Sequence, residues 1–455
     1  MDLMIKNGTI ITSIDRYKAD IAVKEGKISA IGLNLDAKGY KVIDVTEQYV
    51  LPGAIDAHVH FQTPVGSFIS ADSYESGTRA AACGGVTTVI DFAVQKKSQG
   101  LTEDVKERIN IFHPQACVDF AFHTTITEVT PTILEEFKKS VDLGVTSFKL
   151  YMVYKDLMVD DGIIATLLEK AKEAGVLLAV HAENPSMIER RIERFLAEGK
   201  TSPWYHYESR PEFVEAEAVK RVIYLAKTFK APLYIVHLAC KEGLEEVTKA
   251  RDEGYEILAE TCPHYLNFTK EVYLQEDGCN FVCSPSIKGE DSRKALWKGI
   301  KRGDILTVAT DHCPFNSFEK RLGKHDFAKI PNGCMGTEIL YPYMLSEANK
   351  GNITFHKAVE VCCTNVAKIF GLAPQKGTIA VGSDADIVIY NPKMNVVISK
   401  EKMHSNVDYT IWEGTELMGY PVMTFSRGKL VYKEGEFLGS PGWGQFVRCQ
   451  RYKDM

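Results

Sequence analysis

Short apolar stretches recur along the middle of the chain, and each is followed by a stretch with the pattern of an amphipathic helix. Two examples of the latter are DGIIATLLEKAKEAG and PEFVEAEAVKRVIYLAKTFK, whose apolar residues return every three to four positions. The apolar stretches are short enough to be buried strands. Eight of them lie near residues 53–61, 85–93, 118–125, 145–152, 176–184, 232–240, 255–263 and 305–313.

Eight strand–helix repeats predict an α/β protein built around a (β/α)8 TIM-like barrel. Catalytic groups in such a barrel lie at the carboxyl ends of its strands. An open doubly wound sheet is the alternative arrangement of the same elements. No GxGxxG phosphate-binding turn follows any of the strands, which disfavours that alternative.

The two ends of the chain follow a different pattern, in which short β-type runs alternate with glycine-rich turns. This pattern covers the first fifty residues and returns at 376–392 and 420–437. We therefore expect a small β-sandwich domain formed by residues 1–52 and 375–440, with the barrel of residues 53–374 inserted between them.

Composition and charge narrow the class of protein. The 455 residues are 45% hydrophobic and 25% charged, which is ordinary for a globular protein. A net charge of −6 gives no sign of a nucleic acid or membrane partner. The start of the chain lacks the apolar core of a signal peptide, and the eleven cysteines are scattered without a CxxC pair. We expect a cytoplasmic protein with reduced thiols.

Polar residues of one chemical kind lie at the ends of five predicted strands. His58 and His60 close the first strand, and their spacing of two directs both side chains to the same side. Lys149, His181, His237 and Asp311 end the fourth, fifth, sixth and eighth strands. Because the ends of barrel strands converge, these six groups are expected to meet at one site.

A single histidine at a strand end is more often a hydrogen-bonded structural residue than a metal ligand. That structural interpretation is assigned to the histidines outside the pattern, namely His113, His123, His206, His264, His312, His325, His356 and His404. The joint pattern of an HxH pair, two further histidines and an aspartate favours a metal site, because imidazole and carboxylate are ligands of zinc and similar ions.

Four histidines and one aspartate exceed the ligands of one tetrahedral zinc, so the pattern favours two ions and a bridging anion. Lys149 lies in an otherwise apolar run, TSFKLYMVYK, where burial favours its neutral amine. A neutral amine reacts with carbon dioxide to give a carbamate, which offers one oxygen to each ion. The structural alternatives are a lysine that extends to solvent or pairs with Asp311.

A set of motifs along nearly the whole chain resembles the dihydropyrimidinase/hydantoinase branch of the cyclic amidohydrolases, in the amidohydrolase superfamily. The motifs are LPGAIDAHVHF, ESGTRAAACGGVTTVIDF, TSFKLYMVYK, VHAEN, YIVHLAC, AETCPHYL, VCSPSIK, ATDHCPF, IPNGCMGTE and VGSDADIVIYNP. The resemblance implies that His58, His60 and Asp311 bind one metal ion, that His181 and His237 bind a second, and that carboxylated Lys149 bridges them.

The resemblance also implies a reaction. Tyr154 corresponds to the tyrosine that hydrogen-bonds the oxyanion, and Ser284 and Asn332 to positions whose backbone groups hold the ring imide. Two zinc ions supply hydroxide near neutral pH. Asp311 passes the proton of the water to the departing ring nitrogen, and the ring opens to an N-carbamoyl amino acid.

Several alternatives remain open at this point. Dihydroorotases typically follow the HxH pair with an arginine, whereas this chain has Phe61, which disfavours an acidic substrate. Allantoinases share the HVHF start, and some non-enzymatic relatives act as interaction proteins after losing metal ligands. Dihydropyrimidines and 5-substituted hydantoins are not distinguished, because that choice depends on residues such as 62–74, Tyr151 and Met158.

The resemblance finally implies an assembly. Relatives form homotetramers or homodimers, and residues 441–455 resemble the C-terminal arm through which their subunits associate. We expect a homotetramer or a homodimer that acts on a small cyclic amide or ureide.

Overall fold

A computed structural model of the protein describes residues 2–97, 99–129 and 131–452. Nineteen strands lie in these ranges: β1 (Leu3–Ile11), β2 (Arg16–Lys24), β3 (Lys27–Gly32), β4 (Lys41–Asp44), β5 (Tyr49–Pro52), β6 (Ala54–Val59), β7 (Pro64–Val65), β8 (Phe68–Ile69), β9 (Val86–Val94), β10 (Asp119–Thr125), β11 (Ser147–Tyr151), β12 (Leu177–His181), β13 (Leu233–Ile235), β14 (Ile257–Thr261), β15 (Thr307–Val308), β16 (Ile387–Val397), β17 (Glu416–Ser426), β18 (Lys429–Lys433) and β19 (Glu436–Phe437).

Helices separate most of the barrel strands. Over the same described ranges they are α1 (Tyr74–Cys83), α2 (Leu101–Phe112), α3 (Ile133–Leu143), α4 (Asp161–Ala174), α5 (Pro185–Ala197), α6 (Trp204–Ser209), α7 (Glu212–Phe229), α8 (Lys241–Asp252), α9 (Pro263–Asn267), α10 (Glu290–Arg302), α11 (Ser317–Leu322), α12 (Leu340–Asn349), α13 (Phe355–Val359) and α14 (Asn365–Ile369). A π-helical stretch, Glu360–Thr364, joins the last two, and short 3₁₀ helices span Lys270–Leu274, Gly278–Phe281, Phe327–Lys329 and Lys400–Lys402. None of the described helices has the length and apolar character needed to span a membrane.

Eight parallel strands form the predicted barrel, in the order β6-β9-β10-β11-β12-β13-β14-β15. A parallel bridge between Val59 and His312 joins the first strand to the segment after the last one. Two backbone hydrogen bonds support this closure, from His60 N to His312 O (2.8 Å) and from His312 N to His58 O (3.3 Å). The barrel prediction is confirmed, and the open doubly wound sheet is wrong.

Two barrel strands end earlier than the hydrophobic pattern predicts. β13 has three residues and β15 has two, although the apolar stretches extend several residues further. His237 and Asp311 follow these strands with φ values of 38° and 49°, which lie in the left-handed region. A residue with a left-handed backbone conformation does not continue a strand. Such backbone strain concentrates at functional sites.

Local sequence explains how helices follow the strands. After β11, the side chain of Asp160 accepts a hydrogen bond from Ile163 N and caps the start of α4. Gly175, with a φ of 71°, ends the same helix in the left-handed conformation that glycine adopts without steric cost. The chain thus returns to begin β12, so that β11 and β12 are neighbours in the barrel.

Strands from both ends of the chain form a second, nine-stranded sheet, which confirms a separate β-rich region built from both ends. Its order is β19-β18-β17-β16-β5-β1-β2-β3, with β4 paired to β1. The two chain ends meet in the antiparallel pair of β5 and β16 and in an isolated bridge between Lys27 and Asp384. A separate apolar core, which includes Ile21, Val50 and Ile387, packs within this region. The domain boundaries given above stay predictions.

Residues 441–452 lie against the amino-terminal end of the barrel, which we call the base. Phe120 N donates to Gln445 O (3.0 Å), and Val447 N donates to Phe120 O (2.8 Å). The predicted arm also includes residues 453–455, which lie outside the described residues. Its role in subunit association stays a prediction.

Candidate metal centre and active site

A cavity of about 480 Å³ opens at the carboxyl ends of the barrel strands, which we call the mouth. All nine site residues predicted from the sequence line this one cavity: His58, His60, Lys149, Tyr154, His181, His237, Ser284, Asp311 and Asn332. The convergence expected for a barrel is therefore present in the structure.

Two histidines face one carboxylate oxygen on the first side of the cavity. His58 Nε2 and His60 Nε2 each lie 3.2 Å from Asp311 Oδ1. Burial alone raises the pKa of Asp311, but the neighbouring His58, His60 and Lys149 outweigh it and hold the pKa well below its usual value. Asp311 is therefore an ionised, acceptor-only group.

His181 and His237 form a second pair on the adjoining wall. Their ring centroids are 4.4 Å apart, and His237 lies 5.3 Å from the ring of His58. His181 is the last residue of β12, whereas His237 follows β13 by two residues. The four imidazoles thus form a continuous group across the first and second pairs.

Lys149 lies between the two histidine pairs. Its Nζ is 5.2 Å from the ring centroid of Phe92, which packs on His58 and His60, and 4.9 Å from that of Tyr151, which packs on His181. The side chain is fully buried, and no hydrogen-bond partner for Nζ is found within the described residues. Lys149 therefore neither extends to solvent nor forms an ion pair with Asp311.

Burial lowers the pKa of Lys149 to about 8, although Asp311 and Glu260 act in the opposite direction. A buried ammonium without a hydrogen-bond acceptor is costly, so the neutral amine is favoured. The lysine that interrupts the apolar run of β11 therefore has a larger neutral, reactive fraction near neutral pH than an exposed lysine has.

The donor set fits divalent metal ions. Ligand atoms of His58, His237 and Asp311 all lie within 4.8 Å of one another. His237 Nδ1 is buried and has no hydrogen-bond partner in the described part of the chain, and His58 Nε2, also buried, has only its 3.2 Å contact with Asp311 Oδ1. Buried polar atoms are normally paired, so an unpaired imidazole nitrogen beside an ionised carboxylate marks a candidate site for a cation.

Two buried carboxylates that bond the histidines were not predicted from the sequence. Glu260 accepts from His58 Nδ1 (2.8 Å) and from the backbone N of His237 (3.0 Å), so it orients a ligand from each pair. Glu183 bonds His181 Nε2 (2.8 Å) and Arg210 Nη1 (2.7 Å). Carboxylates that fix the ring orientation of ligands are typical of metal sites. The available signal was an acidic residue inside each of two apolar stretches.

Tyr154 follows β11 in a left-handed conformation, with a φ of 72°. Its ring centroid lies 5.4 Å from that of His181, at the edge of the metal-ligand candidates. Burial raises the pKa of Tyr154 far above its usual range, against the opposing charge of Arg210. The phenol is therefore protonated at neutral pH and is a hydrogen-bond donor.

The residues assigned to substrate choice divide into two groups. Thr63, Val65 and Tyr151 line the cavity, whereas Met158 is not among the lining residues of the described chain. Phe61 is fully buried against the ring of His312, at a centroid distance of 5.4 Å, and does not line the cavity. Phe61 therefore has no direct contact with the cavity through which it would disfavour an acidic substrate.

Most histidines outside the pattern bond to other parts of the protein. Both ring nitrogens of His123 are paired, with Ser147 Oγ (2.6 Å) and Ala57 O (2.9 Å). His312 Nε2 lies 2.9 Å from Asp72 Oδ2, and His206 Nε2 lies 2.8 Å from Cys283 O. These contacts agree with the structural interpretation of those three residues.

Comparison with known proteins agrees with this geometry. Residues 49–431 match the amidohydrolase family. The chain is 42% identical to a D-hydantoinase of Geobacillus stearothermophilus, over 99% of this chain and 97% of that one, and 41% identical to a D-hydantoinase of Ralstonia pickettii over the full length of both. The crystal structure of a dihydropyrimidinase from Brevibacillus agri NCHU1002 superposes with a TM-score of 0.97, at 39% identity and 99% coverage of each chain.

The barrel, the metal-ligand candidates and these similarities agree on one assignment. The family match covers most of the chain, and the relatives are similar over essentially their whole length. The chain belongs to the amidohydrolase family, in the branch of hydantoinases and dihydropyrimidinases, and is a hydrolase of cyclic amides.

Proposed function

We propose that the protein opens the ring of dihydropyrimidines or 5-substituted hydantoins to give N-carbamoyl amino acids, with two divalent metal ions, preferably zinc. The observation that carries the proposal is the position of Lys149, buried and unpartnered between two pairs of histidines. The relatives named hydantoinase and dihydropyrimidinase support the choice of substrate class.

The candidate ligands divide between two ions. His58, His60 and Asp311 would hold one, and His181 and His237 the other, with carboxylated Lys149 between them. Carboxylation joins Lys149 Nζ to the carbon of carbon dioxide and releases one proton, so the neutral amine becomes an anion. The hydrophobic surroundings of Lys149 favour the amine that this step requires.

Bound divalent ions lower the pKa of a water molecule and polarise a carbonyl group. The residues of the chain supply the remaining steps. Asp311 accepts a proton from the water that attacks the carbonyl carbon of the ring. Tyr154, held in its protonated form, donates to the carbonyl oxygen as negative charge develops there, a contact of a kind worth about 3 kcal/mol. Asp311 then returns the proton to the ring nitrogen as the carbon–nitrogen bond breaks.

Recognition of the ring is assigned to a further part of the cavity lining. Ser284 and Asn332 lie there, on two segments joined by a hydrogen bond from Gly333 N to Val282 O (2.9 Å). Backbone groups of these segments would bind the imide of the ring. Val65 and Leu157 add apolar surface to the cavity, which suits an uncharged ring substituent.

The direct test is a hydrolysis assay with dihydrouracil, 5-substituted hydantoins, allantoin and dihydroorotate, run on protein of measured metal content. We expect about two ions per chain and fastest turnover of dihydrouracil or a hydantoin. Faster turnover of allantoin or dihydroorotate would overturn the substrate assignment. Protein that binds no divalent ion under any loading condition and opens no ring would support the non-enzymatic alternative.

A further inference from the structure

A second lysine, Lys320, is buried against the two segments that carry Ser284 and Asn332. It lies on α11 and has no solvent exposure. Its Nζ donates three hydrogen bonds to backbone carbonyls, at 2.7 Å to Val282 O, 2.8 Å to Pro331 O and 2.7 Å to Gly333 O. An ammonium group has three donors, so this lysine is saturated by main-chain acceptors alone.

The absence of a carboxylate partner makes this burial unusual. No ion pair with Lys320 is found in the described ranges 2–97, 99–129 and 131–452. A buried charge without a counter-ion is costly, and burial lowers the pKa of this lysine. An apolar side chain of similar size would fill the space without that cost. The three carbonyl contacts are therefore the feature that requires a lysine at this position.

The three carbonyls belong to the two segments that carry the proposed imide-binding residues. Val282 precedes Ser284 by two positions, and Pro331 and Gly333 stand on either side of Asn332. A lysine that bonds all three sets the spacing between the two segments. Ser284 and Asn332 both line the cavity, whereas Lys320 does not, so Lys320 acts on a bound ring only through them.

The same segments pack tightly against the chain that carries Asp311. Gly333 has a φ of 149°, and a Cβ added there would lie 2.1 Å from Cys313 O. Cys313 N donates to Cys334 O at 2.9 Å. The position of the 331–334 segment is thus tied to residues two places after Asp311. A shift of this segment would change the distance between the ring-binding groups and the reacting groups.

We propose that Lys320 is a positioning residue that holds the Ser284 and Asn332 segments at the spacing needed to bind the ring imide. This inference rests on the proposed function. It predicts a defect in recognition of the imide N–H. A role in folding alone would lower the amount of folded protein without changing the preference of that protein among substrates.

The experiment compares the wild type with K320M, in which an apolar side chain of similar length replaces the lysine. Each is assayed with a hydantoin and with the same hydantoin methylated at the imide nitrogen, and the metal content of each preparation is measured. We expect K320M to raise KM for the hydantoin about tenfold, with kcat within about threefold and metal content unchanged. The preference of the wild type for the unmethylated ring should fall by about the same factor.

K324M is the matched control, because Lys324 is exposed near the end of the same helix and its loss removes the same charge. We expect wild-type kinetics for it. If K320M does not fold, K320Q takes its place, since glutamine retains two N–H donors, and we expect a smaller rise in KM. Failure of both variants to fold would assign Lys320 to stability and reject the positioning role.

The outcomes separate this inference from the proposed function. A wild-type protein that opens none of the rings overturns both. An active, metal-loaded K320M with unchanged KM and unchanged preference for the unmethylated ring overturns only the role of Lys320.

Discussion

Lys149 and Lys376 are both buried, at opposite ends of the same barrel, and their surroundings are opposite. Lys149 at the mouth has no hydrogen-bond partner among the described residues. Lys376 at the base bonds three carboxylates, those of Asp119, Asp384 (2.9 Å) and Asp386 (2.7 Å). Burial lowers the pKa of Lys376, but these three acids outweigh it and raise the pKa far above its usual range.

The difference shows what each buried amine is suited to do. A lysine surrounded by carboxylates stays charged, is unreactive as a nucleophile and links the parts of the chain that supply the acids. Asp119 begins β10 of the barrel, whereas Asp384 and Asp386 precede β16 of the second sheet. A lysine without acceptors has a larger neutral fraction, at some cost in stability, and is open to modification.

The largest expected effect is that of K149A at the mouth. We expect ring-opening activity to fall more than about 1000-fold, because the bridging anion and with it the bound ions are lost. Metal analysis and the hydantoin assay measure both losses. Short carboxylic acids added to K149A should restore part of the activity by replacing the missing carboxylate. Full activity of K149A would contradict the carbamate.

At the base, K376M should act on stability instead. The substitution removes the ammonium group that all three carboxylates share. We therefore expect the free energy of unfolding to fall by about 3–5 kcal/mol. Denaturant unfolding measures this loss, and the folded fraction should retain its bound metal. The control is K393M, since Lys393 is exposed and its pairing with Glu47 should add nothing measurable. Equal unfolding curves for K376M and wild type would refute the prediction.

Y154F tests whether the mouth also contains groups that affect rate alone. We expect kcat to fall about 100- to 1000-fold, because the phenol hydroxyl no longer donates to the developing oxyanion. Metal content and unfolding curves should match the wild type, in contrast to K149A and K376M. A loss that appears only in KM would instead assign Tyr154 to ground-state binding.

A smaller effect is expected for Glu260, which bonds two of the candidate metal ligands. E260Q removes the carboxylate that orients His58 and His237, so metal affinity should fall about 10- to 100-fold. Competition with a chelator measures that affinity. The control is E256Q at the other end of β14, where Glu256 accepts from Tyr452 OH and faces the base. Equal metal affinities of E260Q and E256Q would exclude an orienting role for Glu260.

The smallest effect concerns the pH dependence of Lys149 carboxylation in metal-free protein. The pKa of Lys149 is lowered to about 8, so the neutral amine, which is the reactive form, increases as the pH rises through that value. At constant dissolved carbon dioxide, the initial rate should be about tenfold higher at pH 9 than at pH 7. Carbon-13 NMR with labelled carbon dioxide detects the carbamate. A rate independent of pH would show that another step controls the modification.

The (β/α)8 barrel and the six metal-ligand candidates were predictable from local signals in the sequence, whereas Tyr154, Ser284 and Asn332 were predicted only from the resemblance to a known family. Apolar stretches with polar residues at their ends mark the strands, and the barrel brings those ends together. The two short strands were predicted too long. Hydrophobicity continues through His237 and Asp311, but their left-handed backbone conformation, set by packing around the site, ends the pairing.

The sequence alone determined the class of fold, the kinds of candidate metal ligand and the position of one lysine within an apolar strand. Only the tertiary structure decided how each buried lysine is partnered. Lys376 meets Asp119 across 257 positions of the chain, and Lys320 meets carbonyls 11, 13 and 38 positions away. Such long-range contacts leave no periodic pattern in the sequence. They nevertheless decide whether a buried amine stays charged, fixes a backbone or becomes reactive, because its free energy depends on the acceptors that surround it.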